Sequence, residues 1–376
     1  MILVKSETIQ DYVKKGWWSE QTMGDLLLHW ADRRASELAV LDPPNKFEIC
    51  HCPPQQWTWR ELLEQVGRFA ALLTLQGLQK DDILIVQLPN SVEQHALYLA
   101  CAITGIVASP IPVQYRTHEI SHVMAITQAK LAITTQHVGN FKAAQTWAEH
   151  AHVFPSLKNI WSLGQALPAG VQCLSTLLSQ TKAWDAGQIK DHMKATNVTA
   201  HDVLTICWTS GTEAKSKGVP RNHNEWLIVG SSVSQAGELK EGAHLLIPFP
   251  FVNMAGVSTS LATWLLIGGT LHHHHPFDLP LFVEQMRAYP MDYSVAPPAI
   301  LNLLLKEPEK MAGVNLTRLK RIGSGGGPLT EWMMTEMKKQ FDIEVVNYFG
   351  SNEGAALSST PLDMPDSGQR LSLIHI

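Results

Sequence analysis

The sequence predicts an α/β fold with mostly parallel sheets, divided between two subdomains. Apolar segments of strand length alternate along the chain with segments of helical periodicity, which is the pattern of βαβ units. Residues 81–88 (DDILIVQL) are almost continuously apolar, as expected for a strand covered on both faces of its sheet. With 376 residues and 45% hydrophobic side chains, the chain can build two cores. We predict subdomains over residues 1–197 and 198–366.

Helix-start signals and apolar runs place the elements in order. Thr22 is a candidate N-cap for a helix over residues 21–34, and Thr58 and Glu61 have the capping-box spacing for a second helix. Further strands are predicted at residues 81–88, 130–135 and 244–248, and further helices at residues 93–104 and 224–236. Between residues 137 and 197 the periodicity weakens, so we interpret this segment as the variable outer part of the first subdomain.

Composition excludes several classes of function. A net charge of −5 argues against a nucleic-acid surface, which requires a basic excess. Five cysteines without a pairing pattern suit a reducing compartment, and Cys50-His51-Cys52 lacks a second pair at metal-ligand spacing, so we predict free thiols there. No apolar run reaches the length of a membrane span, and the N-terminal residues carry no secretion signal. We therefore expect a cytoplasmic protein without a membrane span or a nucleic-acid partner.

Four adjacent histidines, His272 to His275, suggest a metal site at first sight. Alternate strand residues point to opposite faces, so at most two of the imidazoles could converge on one ion. No carboxylate or cysteine pair lies nearby at ligand spacing. We predict a solvated strand end here rather than a metal centre.

Residues 205–224 (TICWTSGTEAKSKGVPRNHN) contain the most specific loop signal. An apolar strand ends at Trp208, and hydroxylated residues, a glycine and two lysines follow it. Such a loop can offer hydroxyl groups, backbone N–H groups and a cation to a polyphosphate. It is not a Walker loop, because Gly211 lacks a second glycine at the required spacing and Gly218 is followed by Val219. By itself the loop leaves open a polar turn that binds no ligand.

Two later segments add candidate ligand contacts. The run Arg321–Leu329 (RIGSGGGPL) is a strand end followed by glycines, and it fails the dinucleotide pattern because Pro328 stands where glycine is required. Residues 344–354 (EVVNYFGSNEG) form another strand end, which carries an amide and a carboxylate. Taken singly, each segment could be a plain turn.

In this order, the three segments resemble the signature loops of the adenylate-forming superfamily, which includes acyl-CoA synthetases, aryl-acid ligases, adenylation domains and luciferases. The family patterns are TSGTTGxPKG, SGGxPL and YGxTE. Here Glu213, Ala214 and Ser216 replace the usual Thr, Gly and Pro, and Asn352 replaces the usual Thr. The resemblance spans residues 10 to 366 and implies two stacked α/β subdomains, the second of which carries the ATP and acid site.

The resemblance also implies roles for individual residues. Lys217, Thr212 and Glu353 would be catalytic, with Glu353 binding Mg²⁺. The implied ATP or AMP contacts are Thr209, Ser210, Gly211, Thr212, Lys217, Gly325, Gly326, Gly327, Asn347, Tyr348, Phe349, Gly350, Asn352 and Glu353. The implied acid pocket is Phe251, Met254, Ala255, Val295 and Pro297. These apolar side chains favour an alicyclic, aromatic or medium-length aliphatic acid, although Phe251 could equally be a core aromatic.

The implied activity is ATP-dependent conversion of a carboxylic acid to an acyl adenylate, followed by thioester formation with coenzyme A. Two alternatives stay open: an aryl-acid–AMP ligase that loads a carrier protein, and a nucleotide-binding module that has lost catalysis. The substituted loops support the module, and the absence of a His-Asn pair at Phe251-Val252 weighs against a hydroxybenzoate substrate. Homodimer formation is left open.

The end of the chain departs from the family. The family's ribose-binding Gly-Asp element, its hinge and its C-terminal lysine are absent from this sequence. One reverse translation of Leu371–Ile376 matches a transposon end used in sequencing libraries. We therefore expect a C-terminally truncated fragment, inactive in thioester formation, with a non-native tail over residues 367–376.

Overall fold

The computed structural model describes residues 1–209, 215–354 and 356–371. The chain divides into two compact units, Met1–Trp226 and Leu227–Ile376. Residues 198–226, predicted to open the second subdomain, are grouped with the first unit in this division. Within each unit helices alternate with strands that pair mostly in parallel, which confirms the predicted α/β fold.

The first unit contains helices and strands in alternation. Its strands are β1 (Leu38–Leu41), β2 (Gln56–Thr58), β3 (Ile83–Val86), β4 (Val107–Pro110), β5 (Leu131–Thr135), β6 (Asn159–Leu163), β7 (Gln172–Cys173), β8 (Val203–Trp208) and β9 (Gly218–Asn222). Its helices are α1 (Ser6–Lys14), α2 (Met23–Arg33), α3 (Lys46–Cys50), α4 (Trp59–Leu75), α5 (Val92–Thr104), α6 (Thr117–Thr127), α7 (Ala143–His150), α8 (Leu174–Gln180) and α9 (Ala186–Ala195).

A seven-stranded sheet runs through the described part of the first unit in the order β7-β6-β5-β3-β4-β8-β9. Its neighbours are parallel except β8 and β9, which pair antiparallel on either side of the predicted phosphate loop. Strands β1 and β2 form a further antiparallel pair. The weakly periodic segment 137–197 supplies β6 and β7 at one edge of the sheet, together with α7, α8 and α9.

The second unit has its own series of elements. Its strands are β10 (His244–Ile247), β11 (Thr270–His273), β12 (Tyr293–Val295), β13 (Arg321–Gly325), β14 (Glu344–Gly350) and β15 (Ala356–Ser359). Its helices are α10 (His223–Gly237), whose first turn ends the first unit, α11 (Met254–Val257), α12 (Trp264–Ile267), α13 (Leu279–Ala288), α14 (Pro298–Lys306), α15 (Glu331–Phe341) and α16 (Ser367–Leu371). A π-helical segment, Ser258–Thr263, joins α11 to α12.

The strands of the second unit lie in the order β15-β14-β13-β12-β10-β11, and only β14 and β15 are antiparallel. Leu246 of β10, Ile322 of β13 and Val345 of β14 are buried in one apolar cluster, which also takes Phe282 of α13 and Leu301 of α14. Because β10, β12, β13 and β14 pair in parallel, their carboxyl ends lie at the same edge of the sheet.

Two predicted helix starts are confirmed in atomic detail. The Thr22 hydroxyl accepts a hydrogen bond from the Asp25 N–H at 3.1 Å, and the Thr22 N–H donates to the Asp25 carboxylate at 2.9 Å. At α4 the Glu61 N–H donates to the Thr58 hydroxyl at 3.2 Å, and the Thr58 N–H donates to the Glu61 carboxylate at 2.8 Å. Both are reciprocal capping boxes, which satisfy N–H groups that the helix cannot pair itself.

The predicted solvated strand end at the histidine run is wrong. His272, His273 and His274 are buried, with exposures of 1% or less. The His272 ring bonds the His244 ring at 3.1 Å, and the His274 ring bonds the Gln285 amide oxygen at 2.7 Å. Side-chain partners thus replace water around these imidazoles. Burial lowers the pKa of His272 to about 3, so this ring is neutral.

The structure also bears on the expected metal centre, membrane span and free thiols, for the residues that it describes. Within residues 1–209, 215–354 and 356–371, no cluster of three or more His, Cys, Asp or Glu side chains is arranged to hold a metal ion. No helix in those ranges has both the length and the apolar character that a membrane span requires. The thiols of Cys50 and Cys52 are unbridged, as predicted.

Candidate functional site

A cavity of about 110 Å³ lies beyond the carboxyl ends of the parallel strands of the second unit. Strand β12 ends at Val295, β13 at Gly325 and β14 at Gly350, and all three residues reach the cavity. Open α/β sheets bind ligands at this edge, because the loops that follow the strands converge there. The lining residues are Val233, Phe249, Met254, Ala255, Ser258, Thr259, Val295, Gly325, Gly326, Tyr348, Phe349 and Gly350.

Three of the five residues predicted for the acid pocket line this cavity: Met254, Ala255 and Val295. Phe251 is fully buried and Pro297 is partly buried, and neither is among the lining residues. The Phe251 backbone instead closes the turn before α11, since a Cβ on Gly256 would stand 3.0 Å from the Phe251 Cα and 2.0 Å from the Pro250 carbonyl oxygen. The assignment of all five to an acid pocket stays a prediction.

The predicted nucleotide residues of β13 and β14 contribute mainly backbone and ring surface. Gly325, Gly326, Tyr348, Phe349 and Gly350 line the cavity. Phe349 is 61% exposed, so its side chain has surface available for contact with a flat ligand. Gly327 lies outside the lining residues.

Gly325 and Gly326 differ in the structural reason that favours glycine at each position. A Cβ on Gly325 would lie 2.3 Å from the Tyr348 carbonyl oxygen, so the two neighbouring strands require hydrogen at that position. Gly326 has φ +77°, a conformation that side chains disfavour, and nothing lies within 4 Å of its Cβ position. Open space beside Gly326 is compatible with close approach of a ligand to the backbone.

Asn347, predicted to bind the adenine edge, is buried and already bonded within the unit. Its amide N–H donates to the Arg370 carbonyl oxygen at 2.9 Å, and the Ser359 hydroxyl donates to the same oxygen at 2.8 Å. These bonds attach α16 to β14 and β15. The adenine role of Asn347 stays a prediction, and in this structure the side chain holds the C-terminal helix.

Asn352 and Glu353 follow β14 and have different surroundings. The Asn352 amide oxygen accepts the Met254 N–H at 2.8 Å, which ties the loop after β14 to the first turn of α11. The Glu353 side chain is exposed. A carboxylate oxygen is a ligand that Mg²⁺ prefers, and one carboxylate together with substrate phosphates is a sufficient protein contribution. The chemistry of Glu353 therefore fits the implied metal.

Sequence reasoning missed two hydroxyl groups at the cavity, those of Ser258 and Thr259. Ser258 and Thr259 lie in the π-helical segment, and both hydroxyls donate to the Ala255 carbonyl oxygen, at 3.5 and 2.6 Å. The hydroxyl groups of Tyr293 and Tyr348 bond each other at 2.7 Å, and burial raises the pKa of the Tyr348 phenol. A π-helical turn leaves no periodic signal in a sequence, so the positions of the Ser258 and Thr259 hydroxyls could not be predicted.

The predicted phosphate loop belongs to the first unit, between β8 and β9. The Thr209 N–H donates to the Lys217 carbonyl oxygen at 3.0 Å, and the Lys217 N–H donates to the Thr209 hydroxyl at 3.0 Å. The two residues therefore close the base of the loop, and the Lys217 side chain is exposed. His122 adds a bond to the Ser216 carbonyl oxygen at 2.8 Å. Ser210, Gly211 and Thr212 lie outside the described residues.

Curated proteins resemble this chain at low identity along most of its length. It is 24% identical over 321 residues to luciferin 4-monooxygenase of Photuris pensylvanica, covering 83% of this chain and 56% of that protein. It is 24% identical over 366 residues to medium-chain fatty-acid–CoA ligase of Escherichia coli K12, covering 94% and 59%. It is 23% identical over 365 residues to 2,3-dihydroxybenzoate-AMP ligase of Bacillus subtilis, covering 96% and 62%. The chain thus spans less than two thirds of these relatives.

Solved structures share the fold. The N-terminal domain of FACL13 from Mycobacterium tuberculosis superposes with a TM-score of 0.75 at 22% identity, covering 90% of this chain and 78% of that one. The anthranilate CoA ligase AuaEII, solved with anthranoyl-AMP, superposes with a TM-score of 0.78 at 14% identity, covering 92% and 63%. A family model described as AMP-binding enzyme matches residues 29–373. Since that match takes in all three predicted signature loops, the chain belongs to the family of AMP-binding enzymes.

Proposed function

We propose that the protein to which this chain belongs activates a carboxylic acid with ATP as an acyl adenylate and then transfers the acyl group to the thiol of coenzyme A. The observation that carries the proposal is the cavity of about 110 Å³, where the glycine run and the end of β14 meet apolar side chains of α11 and β12. Bare backbone on one side suits a nucleotide, and Met254 and Val295 on the other suit an acyl group.

The reaction proceeds by in-line displacement. A carboxylate oxygen attacks the α-phosphorus of ATP, the bond from that phosphorus to the bridging oxygen breaks, and pyrophosphate leaves. Lys217 is an exposed cation at the base of the phosphate loop, so it is the side chain assigned to stabilise the leaving pyrophosphate. Thr212 is assigned a hydroxyl contact to the phosphates from its place in the signature. Glu353 would hold Mg²⁺, which neutralises phosphate charge when it is bound.

The apolar lining narrows the class of acid. Met254, Ala255 and Val295 line the cavity beside the glycine run, and apolar walls suit an acid with an aromatic, alicyclic or medium-length aliphatic group. A panel from acetate to decanoate, with benzoate and cyclohexanecarboxylate, would be assayed for AMP formation. Highest turnover with acetate would contradict this part of the proposal.

Acid-dependent exchange of labelled pyrophosphate into ATP, measured on the full-length protein, tests the proposal directly. Lys217→Ala is expected to lower exchange by about 100-fold, because a cation that stabilises developing charge is lost. Lys215→Ala is the matched control, since Lys215 is an exposed lysine two residues away, and it is expected to leave exchange unchanged. Absence of exchange with every acid tested would refute adenylation, and equal losses in the two variants would refute the role of Lys217.

A second candidate is a nucleotide-binding module without catalysis. The contact that favours it is the bond of the Asn352 amide oxygen to the Met254 N–H, which gives this substituted position a structural role. Calorimetric titration with ATP on the same full-length sample separates the candidates. ATP binding without exchange for any acid supports the module, whereas exchange supports the ligase. If exchange occurs but coenzyme A accepts no acyl group, a carrier protein becomes the acceptor to test.

We also propose a cellular compartment for the protein. Five unbridged cysteines suit a reducing environment, so we assign the protein to the cytoplasm. Fractionation of cells that express the full-length protein checks this assignment, and recovery in an oxidising compartment would contradict it.

A further inference from the structure

His122 contacts the base of the predicted phosphate loop from helix α6. Its ring Nε2 lies 2.8 Å from the Ser216 carbonyl oxygen. A carbonyl oxygen can only accept a hydrogen bond, so Nε2 carries the hydrogen and the imidazole donates it. The same peptide group is held from its other side, because the Lys217 N–H donates to the Thr209 hydroxyl at 3.0 Å. One peptide unit is therefore bonded at both of its polar atoms.

The peptide unit between Ser216 and Lys217 is the one that leads directly into the lysine. The C=O and N–H of a trans peptide point in opposite directions within one plane, so bonds to both atoms fix the orientation of that plane. On the far side of the lysine Cα, the Thr209 N–H donates to the Lys217 carbonyl oxygen at 3.0 Å. The backbone of Lys217 is thus held on both sides of its Cα, whereas its side chain is exposed.

The imidazole of His122 has a well-defined neighbour in Trp208, the last residue of β8. The two ring centroids lie 5.9 Å apart with their planes at 70°, which is the edge-to-face arrangement that aromatic pairs favour. Trp208 is 5% exposed, and its indole N–H donates to the Ser109 hydroxyl of β4 at 2.9 Å. The indole that contacts the imidazole is therefore itself oriented by a buried hydrogen bond.

Helix α6 gives this ring a fixed support. Ile120, Val123 and Met124 of α6 are buried in the same apolar cluster as Trp208. Buried residues thus stand on both sides of His122 in the sequence, and close packing of such a cluster leaves the helix little freedom to shift. The core of the first unit therefore determines where the imidazole meets the loop.

We propose that His122 is a positioning residue, which orients the Lys217 ammonium toward the phosphates of ATP by fixing the peptide between Ser216 and Lys217. This inference rests on the proposed function, in which Lys217 stabilises the leaving pyrophosphate. An ammonium on a flexible four-carbon stem acts best from a fixed backbone, because a misplaced group loses much of its effect on the reaction. His122 is assigned no contact with ATP or the acid, so its effect on the reaction passes through Lys217.

A double-mutant cycle on the full-length protein tests the proposal. His122→Phe keeps a ring beside Trp208 but removes the donor, and it is expected to lower the kcat of pyrophosphate exchange about tenfold with the KM of the acid unchanged. In a Lys217→Ala background the same change should have no further effect, because the group through which His122 acts is already absent. His122→Gln, whose amide N–H can donate a similar bond, should restore exchange to within about threefold. His118→Phe is the matched control, at an exposed position one turn earlier on α6.

Limited tryptic digestion of the same samples without nucleotide measures the contact apart from catalysis. Trypsin cleaves after Lys215 and Lys217, and cleavage requires the chain to leave its folded position. Loss of one ordinary hydrogen bond should speed this cleavage in His122→Phe by about fivefold. Cleavage after Lys182, an exposed lysine of the same unit, should stay unchanged.

The two measurements separate the ways in which the inference can fail. Absence of exchange with every acid in the unsubstituted protein would refute the proposed function, and with it the role assigned to His122. Unchanged exchange in His122→Phe, or an equal loss in the Lys217→Ala background, would overturn the positioning role while adenylation stands. Unchanged cleavage after Lys215 and Lys217 would refute the contribution of the His122 bond to the loop.

Discussion

Gly325 and Gly327 stand two residues apart and meet different surroundings. A Cβ at Gly325 would lie 2.3 Å from the Tyr348 carbonyl oxygen, on the neighbouring strand β14. At Gly327 the nearest atom to the added Cβ is the Pro298 Cδ, at an ordinary 3.7 Å. The glycine run therefore has one position that strand packing requires and one that it does not, although both match the same signature.

Gly325→Ala should destabilise the fold, and Gly327→Ala should not. The alanine methyl at 325 must push β13 away from β14, and overpacking of this kind costs about 1–3 kcal/mol of unfolding free energy. Alanine at 327 is expected within about 0.5 kcal/mol of the unsubstituted chain. Urea denaturation of both variants measures the difference. If the two midpoints shift equally, the close approach of Gly325 to Tyr348 is not the reason for that glycine.

At the scale of elements, local hydrogen bonds determine where a helix starts, and burial determines which of its faces packs against the rest of the unit. Thr58 and Glu61 satisfy N–H groups at the start of α4 with one reciprocal pair of bonds, independently of any other element. The face of α4 that becomes buried, including Trp59, Leu62 and Phe69, is decided by what packs against it. The first property is readable from spacing, and the second depends on the fold.

Thr58→Ala should lower the unfolding free energy by about 1 kcal/mol, because the capping hydroxyl is lost at the start of a 17-residue helix. Thr146→Ala is the control, since the Thr146 hydroxyl lies on α7 and bonds only the carbonyl oxygen of Lys142, one turn before it. Alanine is a better helix former there, so little change is expected. Thermal melts of the two variants provide the comparison, and a larger loss at Thr146 would contradict the capping argument.

At the scale of the whole molecule, buried neutral histidines occur in both units. In the first, burial lowers the pKa of His223 to about 4, and its ring accepts the Met23 N–H at 3.1 Å. In the second, burial lowers the pKa of His272 to about 3 and that of His275 to about 4. A folded-state pKa below the ordinary value means that the unfolded chain binds protons first as the pH falls.

Stability should therefore be complete above pH 6.5 and fall as the pH drops toward 4, where His223 and His275 begin to protonate in the folded state. Each such histidine contributes a slope of about 1.4 kcal/mol per pH unit in this window. Urea midpoints between pH 8 and pH 4 measure the slope. His223→Gln should make it shallower, and substitution of the exposed His29 by Gln should not. Identical slopes for the three proteins would contradict the argument for His223.

Much of the fold and part of the site were predictable from the sequence. The rest was not predictable, for a physical reason. The strand at β3 and the helix starts at Thr22 and Thr58 depend on neighbours a few residues away, so periodicity and spacing reveal them. The cavity residues Met254, Ala255 and Val295 were predicted through the resemblance to the family, and all three line the cavity. The hydroxyls of Ser258 and Thr259 were not reachable, because a π-helical turn has no sequence period.

The sequence by itself determined the α/β class, the order of elements and the family, because each rests on local pattern and on short motifs kept in order. Only the tertiary structure decided that His272 to His274 are buried and that the Asn347 amide donates to the Arg370 carbonyl oxygen. Burial and pairing depend on which distant elements become neighbours, and a hydrophobic pattern is the same whichever neighbour covers it.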